Sequence, residues 1–462
     1  MVTSDPLKMR LTERQLQLPL APDGTSLLAF LANNITNALA NDQLPVRLAV
    51  THSNDNGYDC EVGVYEGRAG LRSLLRSSIF DFRRREAETT SSFNTVLVIP
   101  TGIGAQIGGH AGDAAPVAKL LGASCDSLIT HPNVVNASDM NELPSNGMYV
   151  EGSLLSRMLM GNVGLQNVRS NRVLVVLDNH EKRFVDAAIN TVNAARATYG
   201  LDSAEIVVLE PPLRTLGETM ASGRASGTVE NLEALWEILD EREGEFDAIA
   251  LASVVNVEVP HIDYFRSGGE IVNPWGGVEA MLTHTVSSLY DVPTAHAPMM
   301  ESAEIANIDP GVVDPRMAAE VVSLTFLQCV LKGLHTAPRI VTDKGDFSKD
   351  DIFTVENVSC LVIPDGCIGL PTLAALNQGI PVIAVRENRN LMRNDLTRLP
   401  WEPGQLYIVE NYWEAAGLLT SLREGISPGS TRRPLSGVKA VSYTHLRAHE
   451  TEADLVCRLL LE

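Results

Sequence analysis

The sequence predicts an α/β protein with a parallel, helix-covered (Rossmann-like) central sheet, a smaller C-terminal α/β unit and an N-terminal α/β appendage. Two observations predict this class. Short apolar runs alternate with helix-like segments from about residue 95 to residue 344, at the spacing of a parallel sheet covered by helices. The chain has 462 residues, 45% of them hydrophobic, which is enough for a large core and for two or three domains.

Residues 1–90 form the predicted N-terminal appendage. Segment 25–40 places leucine and isoleucine side chains on one helical face, with Thr25 or Ser26 as the N-cap. Two strands, 46–51 and 60–65, follow and are joined by a turn rich in asparagine, aspartate and glycine. The charged segment 80–90 predicts a linker helix.

Residues 91–344 form the predicted central domain. Its strands are predicted at the short apolar runs 96–99, 127–129, 173–177, 206–209 and 248–255. Its helices are predicted at the segments 114–121, 184–199, 229–242, 278–290 and 314–332. The small, polar segment 221–227 predicts either a solvent loop or a mobile lid.

Residues 345–440 form the predicted C-terminal unit, and there a motif of the central domain returns. Residues 97–102 (LVIPTG) are echoed by residues 361–366 (LVIPDG), and each motif is followed by further glycine and a helix. Ligands of α/β proteins bind beyond the carboxyl ends of strands, so the two loops can face one cleft.

The last 22 residues, 441–462, resemble one reading frame through a transposon-type sequencing adapter with its index. We interpret them as an artefact, which implies that the natural chain continues differently after Ala440. The alternative is a genuine C-terminal helix over 453–461. The histidines and the cysteine of this segment are therefore not candidate site residues.

Charge and composition exclude several classes of partner. The formal net charge of −21 disfavours nucleic acid, since an acidic chain repels phosphate backbones. No run approaches the roughly 18–20 apolar residues of a membrane span, and the N-terminus has no signal-peptide pattern, so we expect no membrane partner and a cytoplasmic location. The five cysteines outside the tail lack CxxC spacing and predict reduced, buried thiols.

The segment 96–121 predicts a strand, a glycine-rich loop and the start of a helix. Glycine permits positive φ angles and close approach of the backbone to a ligand, and the N–H groups of a first helical turn attract anions. After Gly102 and Gly104 the next glycine is Gly108, one residue late for the dinucleotide fingerprint, and no phosphate-loop lysine follows. We therefore expect the carboxylate or phosphate of a small substrate here, and tight turns with close helix–strand packing are the alternative.

The residues predicted to bind this ligand belong to the two glycine loops: Thr101, Gly102, Gly104, Gly108, Gly109, Gly112, Asp365, Gly366, Cys367 and Gly369. Cys367 precedes a predicted helix, which suits a nucleophile with a lowered pKa, although a buried, unreactive thiol is the alternative.

The predicted catalytic residues follow successive strands: His110, Asp113, His131, Asn133, His261 and His296. The ends of neighbouring parallel strands meet at one edge of a sheet, so these side chains are expected to converge. Histidine suits acid–base chemistry near neutral pH, and a carboxylate can orient it. Asp113 is also a candidate helix cap, and backbone hydrogen bonds could satisfy His131. No HxH or HExxH spacing is present, so no metal ligands are assigned.

Several motifs of this region are specific, namely residues 101–105 (TGIGA), 129–134 (ITHPNV), 148–152 (MYVEG) and 295–298 (AHAP). Together they resemble an uncharacterised bacterial and cyanobacterial family, the domain of unknown function 3326. The resemblance spans roughly residues 96–385 and implies membership in that family without implying a particular activity.

The sequence leaves three hypotheses for the function. The first is a cytoplasmic enzyme that acts on a small anionic metabolite, a carboxylate or a phosphate, in an inter-domain cleft. The second is a non-catalytic, metabolite-binding regulatory protein that uses the same cleft. The third is an enzyme similar to nucleotide-sugar transferases. The cofactor stays unknown, and homo-oligomerisation stays open.

Overall fold

The computed structural model describes residues 9–67, 78–203, 205–322 and 325–441. The predicted artefactual tail lies, apart from Val441, outside the described residues.

The helices of the described residues are α1 (Leu27–Ala38), α2 (Ala115–Gly122), α3 (Pro132–Val135), α4 (Gly152–Leu159), α5 (Lys182–Tyr199), α6 (Leu232–Glu241), α7 (His261–Arg266), α8 (Gly276–Tyr290), α9 (Ala303–Ala306), α10 (Ala318–Val321), α11 (Leu327–His335), α12 (Leu370–Gln378) and α13 (Tyr412–Arg423).

The strands of the same residues are β1 (Arg10–Leu18), β2 (Gln43–Asn54), β3 (Gly57–Glu66), β4 (Asn94–Leu97), β5 (Ser127–Thr130), β6 (Asn136–Ala137), β7 (Met140–Asn141), β8 (Gly147–Tyr149), β9 (Gly164–Gln166), β10 (Val173–Asp178), β11 (Ile206–Leu209), β12 (Arg214–Thr219), β13 (Ala225–Glu230), β14 (Ala248–Val257), β15 (Thr294–Met299), β16 (Arg339–Val341), β17 (Ile352–Phe353), β18 (Cys360–Pro364), β19 (Ile368–Gly369), β20 (Val382–Val385) and β21 (Leu406–Val409).

A six-stranded parallel sheet has the order β21-β20-β18-β4-β5-β8. Its apolar runs are buried on both faces, since Leu97 packs in the core layer of α2 and α13 and Val96 in the layer of α4 and α12. Numbered within the sheet along the chain, the strands stand in the order 3-2-1-4-5-6. This order reverses between β4 and β18, and ligands of such sheets bind at that reversal, beyond the carboxyl ends of the strands.

The echoed motifs lie side by side at this reversal. Leu361 pairs with Val96, and Val362 pairs with Leu97, in parallel register. The N–H of Val98 then donates to the carbonyl of Val362 at 3.0 Å, so the two strands separate only after this point. The loops that follow them therefore leave the sheet next to each other.

A second sheet has ten strands and mixed direction. Its path is β11-β10-β14-β12-β13-β1-β3-β2-β19, and β15 pairs with β14 beside this path. The strands β10, β11, β14 and β15 pair in parallel, whereas β1, β2 and β3 form antiparallel ladders. Two further small sheets are antiparallel, β16-β9-β17 and β6-β7.

The α/β class is confirmed, but the strands expected in one central parallel sheet lie in two sheets. Strands β4 and β5 belong to the six-stranded sheet, and β10, β11 and β14 belong to the mixed sheet. An apolar run predicts that a strand is buried, whereas its partners depend on contacts between distant segments. The predicted domain boundaries at residues 90 and 344 stay predictions.

Three predicted elements differ in the structure. The predicted loop 221–227 runs into β13, and Arg224 at its centre is 2% exposed. The predicted helix 314–332 is divided between α10 and α11. Between these helices Thr325 donates to Asp139 at 2.6 Å, a bond that an amphipathic pattern does not encode. The predicted linker helix 80–90 is an irregular segment.

Candidate functional site

A cavity of about 380 Å³ opens beyond the carboxyl ends of β4, β5 and β18. Thr101, His131 and Cys367 line it from the loops that follow these three strands. The opposite wall comes from α8, which packs against β2, β13 and β15, and from α4. The cavity thus lies between the six-stranded and the ten-stranded sheet.

One face of α8 lines the cavity over most of the helix length. Its cavity-lining residues recur at helical spacing: Gly276, Glu279, Ala280, Thr283, His284 and Ser288. The ionisable members belong to the first nine residues of the helix. The face that α8 turns towards the cavity therefore determines which polar side chains line this wall.

His131 lies in the cavity wall at the N-cap position of α3, directly after β5. The backbone N–H of Ile99 donates to Nε2 of His131 at 3.1 Å. Burial lowers the pKa of His131 to about 4, and the nearby His284 adds to this shift. The neutral ring therefore carries its proton on Nδ1 and can donate a hydrogen bond, but Nε2 is not free to accept a proton.

His296 on β15 connects the mixed sheet to α8. Its Nε2 lies 2.7 Å from the hydroxyl oxygen of Ser253, and its Nδ1 lies 3.5 Å from Oε1 of Glu279. Both His296 and Glu279 line the cavity. Ser253 is 1% exposed in the middle of β14, so it orients His296 from behind.

A second carboxylate reaches a histidine through a tyrosine. The hydroxyl of Tyr264 donates to Oε2 of Glu320 at 2.9 Å and lies 2.8 Å from Nδ1 of His110. The N–H of Ala111 donates to Oε1 of Glu320 at 2.7 Å. Burial raises the pKa of Glu320 to about 7, so this cavity-lining carboxyl can hold or release a proton near neutral pH.

A third pair joins α4 to α8. Glu151 caps the N-terminus of α4 by accepting from the N–H groups of Ser153 and Leu154 at 2.9 and 3.2 Å. Its other oxygen, Oε1, lies 3.2 Å from Nε2 of His284. Burial raises the pKa of Glu151 and lowers the pKa of His284 to about 3, so both groups tend towards their neutral forms.

His261 lies at the start of α7 and lines the cavity. Its ring centroid is 5.0 Å from that of Trp275, and burial lowers its pKa. Three of the four predicted catalytic histidines, His131, His261 and His296, thus line one cavity, and His110 contacts its wall through Tyr264. Their predicted catalytic roles stay predictions.

Asp113 and Asn133 hold the glycine loop in shape. Asp113 does not cap α2, whose N-cap is Ala114, but accepts from the N–H of Gly108 at 2.8 Å. Burial raises the pKa of Asp113 to about 7. Asn133 lines the cavity, and its amide nitrogen donates to the carbonyls of Ile99 and Gly108 at 3.1 and 2.8 Å.

The glycines of this loop face protein. Gly102, Gly108 and Gly112 have φ angles of +74°, +83° and +83°, and a Cβ at Gly102 would lie 2.7 Å from the carbonyl oxygen of Ala225. A Cβ at Gly109 would overlap the carbonyl of Ala105, and one at Gly104 would press on Val272 at 3.1 Å. These contacts agree with the packing alternative, whereas ligand binding by the glycine amides stays a prediction.

The second loop reaches the cavity through Cys367 and Gly369. Asp365 accepts from the N–H of Gly366, and its carboxylate lies 3.9 Å from Nε of Arg386 on the outer side. Burial raises the pKa of the Cys367 thiol, which opposes the nucleophile alternative.

Four buried charged side chains form an ion-pair network at the cavity wall. Arg47 and Arg224 line it and both bind Glu13, Arg47 at 2.8 Å, while Arg224 also binds Glu61 at 2.5 Å. Burial opposes ionisation of Glu13, but the two arginines outweigh it and lower its pKa to about 2. Two guanidinium groups are thus held at the wall of an otherwise acidic protein.

The three glutamates that line the cavity were not predicted from the sequence as site residues, and neither were His284 and Tyr264. Glu320 lies in the segment predicted as one long helix, Glu279 in the first turn of α8, and Glu151 in the specific motif 148–152. Only Glu151 carried a signal, its place in that motif. Within the described ranges no group of three or more histidine, cysteine, aspartate or glutamate side chains could hold a metal ion.

The family model described as "Protein of unknown function (DUF3326)" matches residues 94–432. The chain belongs to this family. It is also 34% identical over 348 residues to an "uncharacterized lipoprotein" of Synechococcus sp. (strain ATCC 27144 / PCC 6301 / SAUG 1402/1), covering 73% of this chain and 93% of that protein. The comparison with solved structures gives no match.

Two observations concern location. Of the helices in the described ranges, none combines the length and the apolar character that crossing a membrane requires. The word lipoprotein in the name of the Synechococcus relative does not fit the cytoplasmic location expected from the sequence, which stays a prediction.

Proposed function

We propose that the chain is an enzyme that transfers protons to and from a small anionic metabolite bound in this cavity. Glu279 and Glu320 are the proposed proton-transferring groups. The observation that carries this proposal is that three carboxyl groups line one cavity and each reaches a histidine, directly or through Tyr264. We also infer that the six-stranded sheet is Rossmann-like, because its strand order reverses at the cavity.

The three glutamates lie in different environments, each with a different histidine, and such differences suit acid–base catalysis. Pairs of titratable groups in different environments divide into acids and bases at one pH. Glu320, whose pKa burial raises to about 7, would donate a proton to the substrate, and Glu279, 3.5 Å from His296, would accept one. The proton that Glu279 accepts from the substrate is matched by one that Glu320 returns, so the substrate is neither oxidised nor reduced.

His131 then has a different role from the base expected from sequence. Its Nδ1–H can donate to a substrate oxygen and stabilise negative charge that develops there. A neutral imidazole serves this purpose without a change in net charge. Glu13 and Glu61 neutralise Arg47 and Arg224, but Arg157 has two buried guanidinium nitrogens without a hydrogen-bond partner among the described residues, which favours an anionic substrate.

The test is a metabolite-library thermal-shift screen followed by assays of each stabilising compound for proton exchange with deuterated water. Glu279→Gln and Glu320→Gln are each expected to lower the exchange rate by about a hundred-fold or more, because general acid–base catalysis contributes ~10²–10⁴-fold. Glu237→Gln, on the exposed face of α6, is the matched control. Compounds that bind without exchange in the wild type would favour the non-catalytic binding protein instead.

A further inference from the structure

The cavity is elongated along α8. From Glu279 to Ser288 the helix advances nine residues, which corresponds to about 13 Å. Glu279 lies in the first turn of α8, and Glu320 accepts from Asn273, three residues before the helix, so both proposed proton-transferring groups lie at the N-terminal end of this length. Ser288 belongs to its C-terminal part, one helical turn before Asp291, the partner of Arg157.

Arg157 is an incompletely paired guanidinium in this wall. Its side chain is 8% exposed, and Nη2 donates to Asp291 at 2.7 Å. Nε and Nη1 are buried and have no hydrogen-bond partner among the described residues, and the same holds for the hydroxyl of Ser288. Both side chains line the cavity.

Buried N–H groups of a cation are normally satisfied, because leaving them without an acceptor costs free energy. Arginine has five N–H donors and can bind a second oxyanion while it keeps the first. The end of the cavity at Arg157 and Ser288 is therefore short of acceptor oxygens.

The cavity lining as a whole is largely apolar, although Thr283 and the Glu151–His284 pair line it between Glu279 and Ser288. The apolar side chains that line the cavity include Val46, Leu48, Ile79, Val98, Leu155 and Ile363. An apolar chain would bury its surface against them favourably. A molecule that fits the whole length has an anionic end and an apolar body.

We propose that Arg157, with Ser288, binds the carboxylate of a straight-chain amphiphile whose other end reaches Glu279 and Glu320. This assignment rests on the proposed function in placing the substrate in this cavity. The substrate class is then a medium-chain carboxylic acid that carries a carbonyl group at the end remote from its carboxylate, because the carbonyl acidifies the neighbouring C–H for Glu279 and supplies an oxygen for His131.

The test compares octanoate with octanamide, which has the same shape and no charge, by isothermal titration calorimetry. We expect the wild type to bind octanoate at least about ten-fold more tightly. Arg157→Lys keeps a cation beside Asp291 but loses the guanidinium donors, so octanoate binding should weaken by about ten-fold or more. Arg172→Lys is the matched control, because Arg172 also pairs with an aspartate, Asp247 at 2.8 Å, but on the surface.

Equal affinity for the two compounds, no binding of either, or an Arg157→Lys variant that binds octanoate like the wild type would each overturn the carboxylate site. The wild-type comparison decides even if Arg157→Lys does not fold. The proposed function fails separately. Octanoate binding that depends on Arg157 would support the carboxylate site. If Glu279→Gln and Glu320→Gln nevertheless leave proton exchange unchanged, the proposed proton transfer is wrong.

Discussion

The backbone N–H of Ile99 donates to Nε2 of His131 at 3.1 Å, which joins the segment that follows β4 to the residue that follows β5. The same bond fixes the tautomer of a cavity-lining imidazole. Nε2 of His131 therefore both holds the backbone of Ile99 and determines that the ring proton lies on Nδ1.

Replacing His131 is expected to affect folding as well as turnover. His131→Ala leaves the buried Ile99 N–H without its acceptor, which should lower the free energy of unfolding by ~1–3 kcal/mol. His131→Gln can place its amide oxygen near the position of Nε2 and should recover most of this loss. Urea unfolding of both variants measures the difference, and equal stability of the two would contradict the role of this bond.

Glu320 makes the stability depend on pH in a defined window. Burial raises its pKa from 4.5 to about 7, so between these values the folded protein holds a proton that the unfolded chain has released. The free energy of unfolding therefore falls as pH rises from about 4.5 to 7. Between these pH values the free energy of unfolding of Glu320→Gln should fall by ~1–3 kcal/mol less than that of the wild type.

Other groups contribute to the same profile, so the comparison with Glu320→Gln matters more than the wild-type curve. Asp113, with a pKa also raised to about 7 by burial, acts in the same direction. Burial lowers the pKa of His110 and of His131 to about 4, which reduces stability as pH falls from 6.5 towards 4. Urea unfolding at several pH values gives the result, and a slope unchanged by Glu320→Gln would show that Glu320 titrates normally.

Removing Arg224 should be strongly destabilising. Arg224→Met leaves Glu13 and Glu61 buried with one arginine between them, and breaking a buried ion pair costs ~3–5 kcal/mol. Arg386→Met is the control, because Arg386 pairs with Glu410 while its side chain is 54% exposed. Thermal unfolding followed by circular dichroism should show a large fall in Tm for the first variant only.

Cys367 should react slowly with alkylating agents in the folded protein. It is 4% exposed, and burial raises the pKa of its thiol. Iodoacetamide labelling followed by peptide mass spectrometry should be at least about ten-fold slower under native conditions than in urea. Rapid labelling of the native protein would revive the nucleophile alternative.

Local features of the sequence predicted much of the fold near the cavity. The apolar run before Pro100 and the glycines after it predicted β4, its loop and α2, and the echoed run predicted β18 and α12. Helix periodicity predicted α1 and α8 to within two residues at each end. These elements follow from burial pattern and turn chemistry, which are readable over short windows.

Features that depend on distant partners were not predicted. β1 was missed because its side chains do not alternate regularly between buried and exposed, and its place is set by pairing with β3. Segment 221–227 is small and polar, yet Arg224 is buried because Glu13 and Glu61 neutralise it. Histidines after strands signalled the cavity, whereas Glu279 and Glu320 lie within helices, where carboxylates normally face solvent.

The match to the family model and the mixed sheet begin at different places along this chain. The family model begins at residue 94, but Glu13 and Glu61, which neutralise Arg224 and Arg47, come from strands before it. A fragment cut at the family boundary would present two unneutralised cations at the cavity wall and would lose β1, β2 and β3 from the mixed sheet.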